Sequence, residues 1–201
     1  MIIGITGSIG SGKTAAAKIF SSHHFNRIDA DEISHRLMKN NSEIKNKLIK
    51  NFGNEILGKN KNIDRKKLGD IAFNDNKKLK KLNSIMHPKI INEIKNQIKK
   101  IQEKCGSDAK IVIDAPLLIE TNLKNYVDKI VVVKSDKRKI FVRNKNFSKD
   151  EIERILKAQM PLQEKLKYAD FLVDNNKDLK HLEKEVMKMV NNLKKFQSQR
   201  N

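Results

Sequence analysis

Residues 1 to 20, MIIGITGSIGSGKTAAAKIF, constrain the fold more tightly than any other stretch. They spell a short apolar strand, Ile2 to Thr6, a glycine-rich turn ending in Gly12-Lys13-Thr14, and a helix start at Ala15, Ala16 and Ala17. The turn matches G-x-x-x-x-G-K-[ST] through Gly7, Gly12, Lys13 and Thr14, and a strand before with a helix after is the setting in which that pattern cradles phosphates. Glycines without a β-carbon let the backbone take positive φ and bring its N–H groups close to phosphate oxygens. The helix that follows adds its free amides and its dipole. The loop and the start of the helix are therefore expected to cradle the phosphates of a nucleoside triphosphate. Lys13 would bridge the β- and γ-phosphates, and the Thr14 hydroxyl would sit on Mg²⁺.

Four further segments read as strands: Arg27 to Asp29, Lys110 to Asp114, Asp128 to Val133 and Phe171 to Val173. Helical patterns separate them, which predicts an α/β fold with a mostly parallel sheet of about five strands, helices on both faces, and ligands at the carboxyl ends of the strands. Between Asp31 and Lys104 lies a long helical insertion. Ile44, Leu48, Ile49 and Phe52 share one helical face, as do Leu79, Leu82, Ile85 and Met86, and a third helix is expected to begin at Pro88 and to carry Ile90, Ile91, Ile94, Ile98 and Ile101. Ser148 with Glu151 fits a capping box ahead of Ile152, Ile155 and Leu156. A last helix after Asp178 carries the stripe Leu179, Leu182, Val186, Met189, Val190, Leu193 and Phe196, and the tail Gln197 to Asn201 is expected to fray.

The 201 residues suit one domain with an inserted subdomain. No apolar run approaches the length of a membrane span, and Met1 leads directly into the first strand with no basic and apolar leader ahead of it, so a cytoplasmic protein without membrane partners is expected. Cys105 is the only cysteine, which excludes an intrachain disulfide or a multi-cysteine metal site. The net charge of +19 raises the question of nucleic acid, but 36 of the 43 basic residues are lysine, there is no Trp and only two Tyr. Base reading and stacking draw on arginine and aromatics, so a solvated lysine surface is the expectation and no nucleic-acid partner is.

Two acidic stations complete the chemistry. Asp29-Ala30-Asp31 closes the second strand and opens a helix, where a carboxylate can orient an acceptor hydroxyl, receive its proton or hold Mg²⁺ through water. Capping suits Asp29 or Asp31 but hardly both, and Asp31 is expected to be catalytic. Asp114 ends the strand Ile111-Val112-Ile113, where a second acidic residue would contact Mg²⁺ or its waters; the alternative is a turn aspartate. His87, before Pro88, is either a substrate contact or a helix-capping residue. His23 and His24 are adjacent, which is not a spacing that holds a metal.

In this order the residues resemble the dephospho-CoA kinase family. The opening Gly4 to Thr14, the Asp29-Ala30-Asp31 triplet, Ile63-Asp64-Arg65 with Leu68, His87-Pro88, Asp114-Ala115-Pro116-Leu117-Leu118 with Glu120, Ala158-Gln159, Ala169-Asp170 and Asn175-Asn176 are similar to that family's signatures through nearly the whole chain. The resemblance implies transfer of the ATP γ-phosphoryl group to the ribose 3′-hydroxyl of dephospho-CoA, with Asp31 and Lys13 catalytic and with Gly10, Ser11, Gly12, Lys13, Thr14 and Ala15 as the cradle of the ATP phosphates. It also implies Asp31, His87, Asp114 and Leu117 on the substrate side and Thr14 and Asp114 toward Mg²⁺. The implied architecture is a core of about 1–30, 106–135 and 165–201, a CoA-binding helical insertion of about 31–105, and a lid of about 136–164. Two positions depart from the family pattern. Its usual Arg four residues after the second aspartate is His35 here, with Arg36 next. Its two lid arginines four apart are Ile140 and Asn144, with Arg138 and Arg143 out of register. Either a small shift restores an arginine to the phosphates, or lysines such as Lys139 and Lys145 substitute.

Overall fold

The computed structural model describes residues 1–198, with side chains described to Leu193. Five strands, β1 (Ile2–Thr6), β2 (Asn26–Asp29), β3 (Ile111–Asp114), β4 (Lys129–Lys134) and β5 (Phe171–Asp174), form one sheet in the order β2-β3-β1-β4-β5. The pairs β1 with β3, β1 with β4 and β4 with β5 are all parallel. Alternate residues of a strand face opposite sides, and here both sets are buried: Ile3, Ile5, Val131 and Val133 on one side, Ile113 and Val132 on the other, each fully enclosed. That is why the strands read as continuous apolar runs.

The chain divides into two compact units, residues 1–28 with 100–201, and residues 29–99. In the first unit α1 (Lys13–Ser22) packs against α9 (Leu179–Ser198) and the sheet. The buried face of α1, Ala16, Ala17 and Phe20, meets Leu182, Val186, Met189, Val190 and Leu193 of α9 in one apolar cluster with the strands. The stripe expected on the last helix is therefore core as far as Leu193, except Leu179, which is exposed. Gln197 and Ser198 are helical rather than frayed, and the Phe196 side chain and residues 199–201 lie outside what the structure describes. Phe20 and Phe25 meet edge to face at 5.1 Å, closing the return from α1 into β2. The remaining helices of this unit are α6 (Lys137–Arg143), α7 (Lys149–Ala158) and the short α8 (Leu162–Leu166). Ser148 and Glu151 make the expected reciprocal capping box at the start of α7.

The second unit is helical: α2 (Ala30–Asn40), α3 (Ser42–Phe52), α4 (Arg65–Phe73) and α5 (Asn76–Cys105), the last crossing into the first unit at its C-terminal end. Met38, Ile44, Leu48, Phe52, Ile56, Leu68 and Met86 form its own core. One expectation is corrected here. Pro88 does not begin a helix; it lies inside α5, a single helix of 30 residues. A helix-interior proline costs about 3 kcal/mol through a lost hydrogen bond and a ring clash. In α5 the proline and Ser84, whose carbonyl loses its partner, both lie on the exposed side, while Met86, Ile94 and Ile98 are buried. The freed carbonyl is on the solvent side, and apolar packing carries the helix through the break. His87 consequently sits in a helix interior and not at a helix start.

Candidate active site

In the first unit the carboxyl ends of β1, β3, β4 and β5 come together. β1 is central, flanked by β3 and β4, so its exit lies at the point where the chain connections diverge, the crevice that open parallel sheets use for ligands. Ile5 of β1 registers with Asp114 of β3, and the Ala115 amide donates to the Ile5 carbonyl at 3.0 Å. Asp114 thus stands one residue below Thr6, beside the start of the loop.

The loop 7–12 leads into α1 with Gly10 at φ 69° and Gly12 at φ 94°. Both angles fall in the left-handed region that a side chain resists. Gly12 precedes the helix, no side chain caps it, and the first-turn amides of α1 have no partner within the helix. Among the six residues expected to cradle phosphate, then, the backbone ends in a row of open donors. Opposite those donors the loop is gripped through its carbonyls and its entry. Gln159 Oε1 accepts from the Ile9 amide at 3.0 Å, and the Ser11 amide turns back to the Ser8 carbonyl at 3.1 Å. Asn175 Nδ2 donates to the Ser11 carbonyl at 2.8 Å. Arg143 Nη1 donates to the carbonyls of Gly10 and Ser11, both at 3.4 Å. Arg143, out of register in the sequence, thus reaches the loop.

Beneath the loop is a buried cation that sequence reasoning missed. Lys165, on α8, has no exposed side-chain surface; its Nζ donates to the Pro116 carbonyl at 2.6 Å, lies 2.9 Å from Glu120 Oε1 and reaches Thr6 Oγ1 at 3.4 Å. Thr6 Oγ1 in turn donates to the Pro116 carbonyl, and Glu120 Oε1 also accepts from the Met160 amide. Burial pushes the Lys165 ammonium below the usual lysine range, Glu120 pulls it back up, and the charge of Lys13 adds to the lowering. Nothing in a chain with 36 lysines sets this one apart by sequence; only its enclosure does. Gln159, Glu120 and Asn175 were visible as signature residues, but their contacts with the loop and its supports depend on pairings between distant segments.

The acidic stations divide. Asp29 caps α2, its Oδ1 accepting from the amides of Asp31 at 2.9 Å and Glu32 at 3.0 Å. Asp31 stands exposed in the first turn of that helix. Asp114 is enclosed, with Oδ2 at 3.0 Å from Arg27 Nη2, while its Oδ1 is buried with no hydrogen-bond partner. A buried carboxylate oxygen in that condition fits a cation or a cation-bound water. Among the described residues no group of three or more His, Cys, Asp or Glu could hold a metal, His23 and His24 included. Leu117 is half-buried, its carbonyl taken by the Thr121 amide and hydroxyl. In the second unit Arg36 pairs with Glu93 at 2.7 Å, whereas His35 lines a cavity of about 370 Å³ with Lys39, Asp64 and Arg65. Asp31 and His87 lie in that unit, and the loop, Asp114 and Leu117 in the other. No helix among the described residues is long and apolar enough to cross a membrane.

The family model for dephospho-CoA kinase matches residues 1–181. The chain is similar to the dephospho-CoA kinase of Fusobacterium nucleatum, 42% identical over 190 residues that cover 92% of this chain and 95% of that one. Among solved structures it is similar to dephospho-CoA kinase from Campylobacter jejuni, with a TM-score of 0.68, 29% identity and 98% of each chain covered. A shikimate kinase from Bacteroides thetaiotaomicron, at 15% identity and a TM-score of 0.54 over 96% of this chain and 98% of that one, shares the fold. On its sequence match and its P-loop architecture together, the chain belongs to the dephospho-CoA kinase family.

Proposed function

We propose that this protein transfers the γ-phosphoryl group of ATP to the ribose 3′-hydroxyl of dephospho-CoA, giving coenzyme A and ADP, in the cytoplasm. The observation that supports this best is the uncapped start of α1 behind a left-handed Gly12, within a chain that matches the family from its first residue to residue 181.

The open amides between Gly10 and Ala15, with that of Ser11 turned back to Ser8, bind the phosphate oxygens, and Lys13 neutralises charge that develops as the bond to the leaving oxygen lengthens. Asp31 orients the acceptor hydroxyl. As the oxygen of that hydroxyl bonds to the γ-phosphorus and the bridging bond to ADP breaks, the hydroxyl proton passes to the Asp31 carboxylate and then to solvent. Thr14 and the unpartnered Oδ1 of Asp114 would hold Mg²⁺ directly or through its waters. When bound, the ion supplies charge neutralisation on the phosphates. The helical insertion, about 31–105, binds dephospho-CoA with His87, and Asp114 and Leu117 contribute to acceptor binding. Residues of about 136–164 act as the lid that excludes water, which would otherwise compete for the phosphoryl group.

The test is an ADP-release assay with Mg·ATP and a panel of acceptors: dephospho-CoA, adenosine, AMP, shikimate and RNA. Release that depends on dephospho-CoA supports the reading. Release driven by another hydroxyl, or stimulated by RNA, overturns it.

A further inference from the structure

Asn175 lies just after β5, yet its side chain is spent on the phosphate loop. It is 5% exposed and fixed on every side. Its amide donates to the Lys134 carbonyl at 2.9 Å, and its own carbonyl accepts from Arg143 Nη2 at 2.9 Å and from Ser135 Oγ at 3.3 Å. Arg143 Nη1 also donates to Ser135 Oγ at 3.1 Å, so the guanidinium bridges the ends of β4 and β5 and the loop carbonyls. With the backbone pinned, Asn175 Nδ2 donates to the Ser11 carbonyl at 2.8 Å.

The Ser11 carbonyl and the Gly12 N–H belong to one planar trans peptide unit, in which the two groups point in opposite directions. Holding the carbonyl from one side therefore fixes the direction of the Gly12 N–H on the other. Two donors on one carbonyl, one of them cationic, also polarise that unit and make its N–H a stronger donor. The approach is so close that a β-carbon at Gly12 would collide with the Asn175 side-chain amide.

We infer that Asn175, braced by Arg143, is a positioning residue that aims the Gly12 amide into the phosphate cradle. The inference rests on the reading that residues 10–15 hold the phosphates of ATP. A residue that merely closed the end of β5 would affect folding and every ligand alike; one that aims this amide acts on the phosphate donor selectively.

The test uses the full chain and Asn175→Ala, Arg143→Ala and Lys13→Ala, with isothermal titration of Mg·ATP and, separately, of dephospho-CoA, and with Tm measured for each. Asn175→Ala is expected to weaken Mg·ATP about tenfold and to lower kcat by a similar factor, with dephospho-CoA affinity changed less than about twofold. Arg143→Ala, which removes the brace and keeps the Asn175 side chain, is expected to move Mg·ATP in the same direction by about threefold. Unchanged ATP affinity in Asn175→Ala, or equal losses for both ligands, overturns the inference. If Lys13→Ala loses ATP while Asn175→Ala keeps it, the inference fails and the cradle stands. If the unaltered protein binds no ATP, or Lys13→Ala matches it, the cradle falls and takes the inference with it.

Discussion

Replacing Lys165 by Met exposes how much of the site's support is electrostatic. The ammonium is fully enclosed and has three oxygen partners, at 2.6 Å, 2.9 Å and 3.4 Å. One of them, Glu120, already has its second carboxylate oxygen buried and unpaired. Removing the cation leaves the Glu120 carboxylate with only the Met160 amide and the Pro116 carbonyl with only the Thr6 hydroxyl. Losing one partner of a buried pair costs about 3–5 kcal/mol, chiefly the penalty on the charge left behind. For a chain of this size that corresponds to a fall in Tm of about 6–20 °C. Glu120→Gln in the same background removes the stranded charge and keeps an oxygen for the Met160 amide. The double variant should therefore recover part of the loss, with a coupling of about 1–3 kcal/mol. Urea denaturation followed by far-ultraviolet ellipticity measures all four proteins. A cost below about 1 kcal/mol for Lys165→Met, or singles that simply add in the double variant, would refute the reasoning.

Asp31→Asn, which leaves the Asp29 cap in place, is expected to lower turnover by at least about a hundredfold with Tm unchanged, and Lys13→Ala to do the same; near-normal kcat in folded Asp31→Asn would remove that residue from proton transfer. Gly12→Ala is expected to lower stability by at least about 1 kcal/mol, since φ 94° is left-handed and the new methyl group meets Asn175, and to weaken ATP more than dephospho-CoA. Glu43 bridges Lys47 at 2.7 Å and Lys89 at 2.8 Å, and its hydrogen bonds to them hold its carboxyl at about 2 against an ordinary 4.5. Because the folded value is the depressed one, the stabilisation is complete above the unfolded value and is lost as pH falls toward about 2. A carboxyl NMR titration of Glu43 with a midpoint near 4.5 would contradict this. Its exposed side chain makes the effect sensitive to salt.

The sheet was legible because each strand combines an apolar run with a turn signal, and the parallel order follows from the helices between strands. The loop was legible because its glycines and Lys13-Thr14 are contiguous. The cap assignment could be narrowed but not made, since Asp29 and Asp31 have the same chemistry two residues apart; the structure gives it to Asp29. The helix break at Pro88 was misread because local propensity says nothing about which side of the helix faces water. Lys165 and the Arg143–Asn175 grip were invisible for a different reason. Each depends on partners more than 30 residues away in the chain, and lysine and asparagine abound here. Arg143, one of the two arginines out of register, reaches the Gly10 and Ser11 carbonyls of the loop. Arg36 is instead engaged by Glu93 within the helical unit.

The most direct test of the central claim is the identity of the phosphorylated product. The protein is incubated with Mg·ATP labelled in the γ-phosphate and with dephospho-CoA, and the product is analysed by mass spectrometry and ³¹P NMR. The account predicts that the label moves to the ribose 3′-hydroxyl, giving coenzyme A, with one ADP formed per product. Label remaining in ATP, released only as free phosphate, or attached at another position would contradict it.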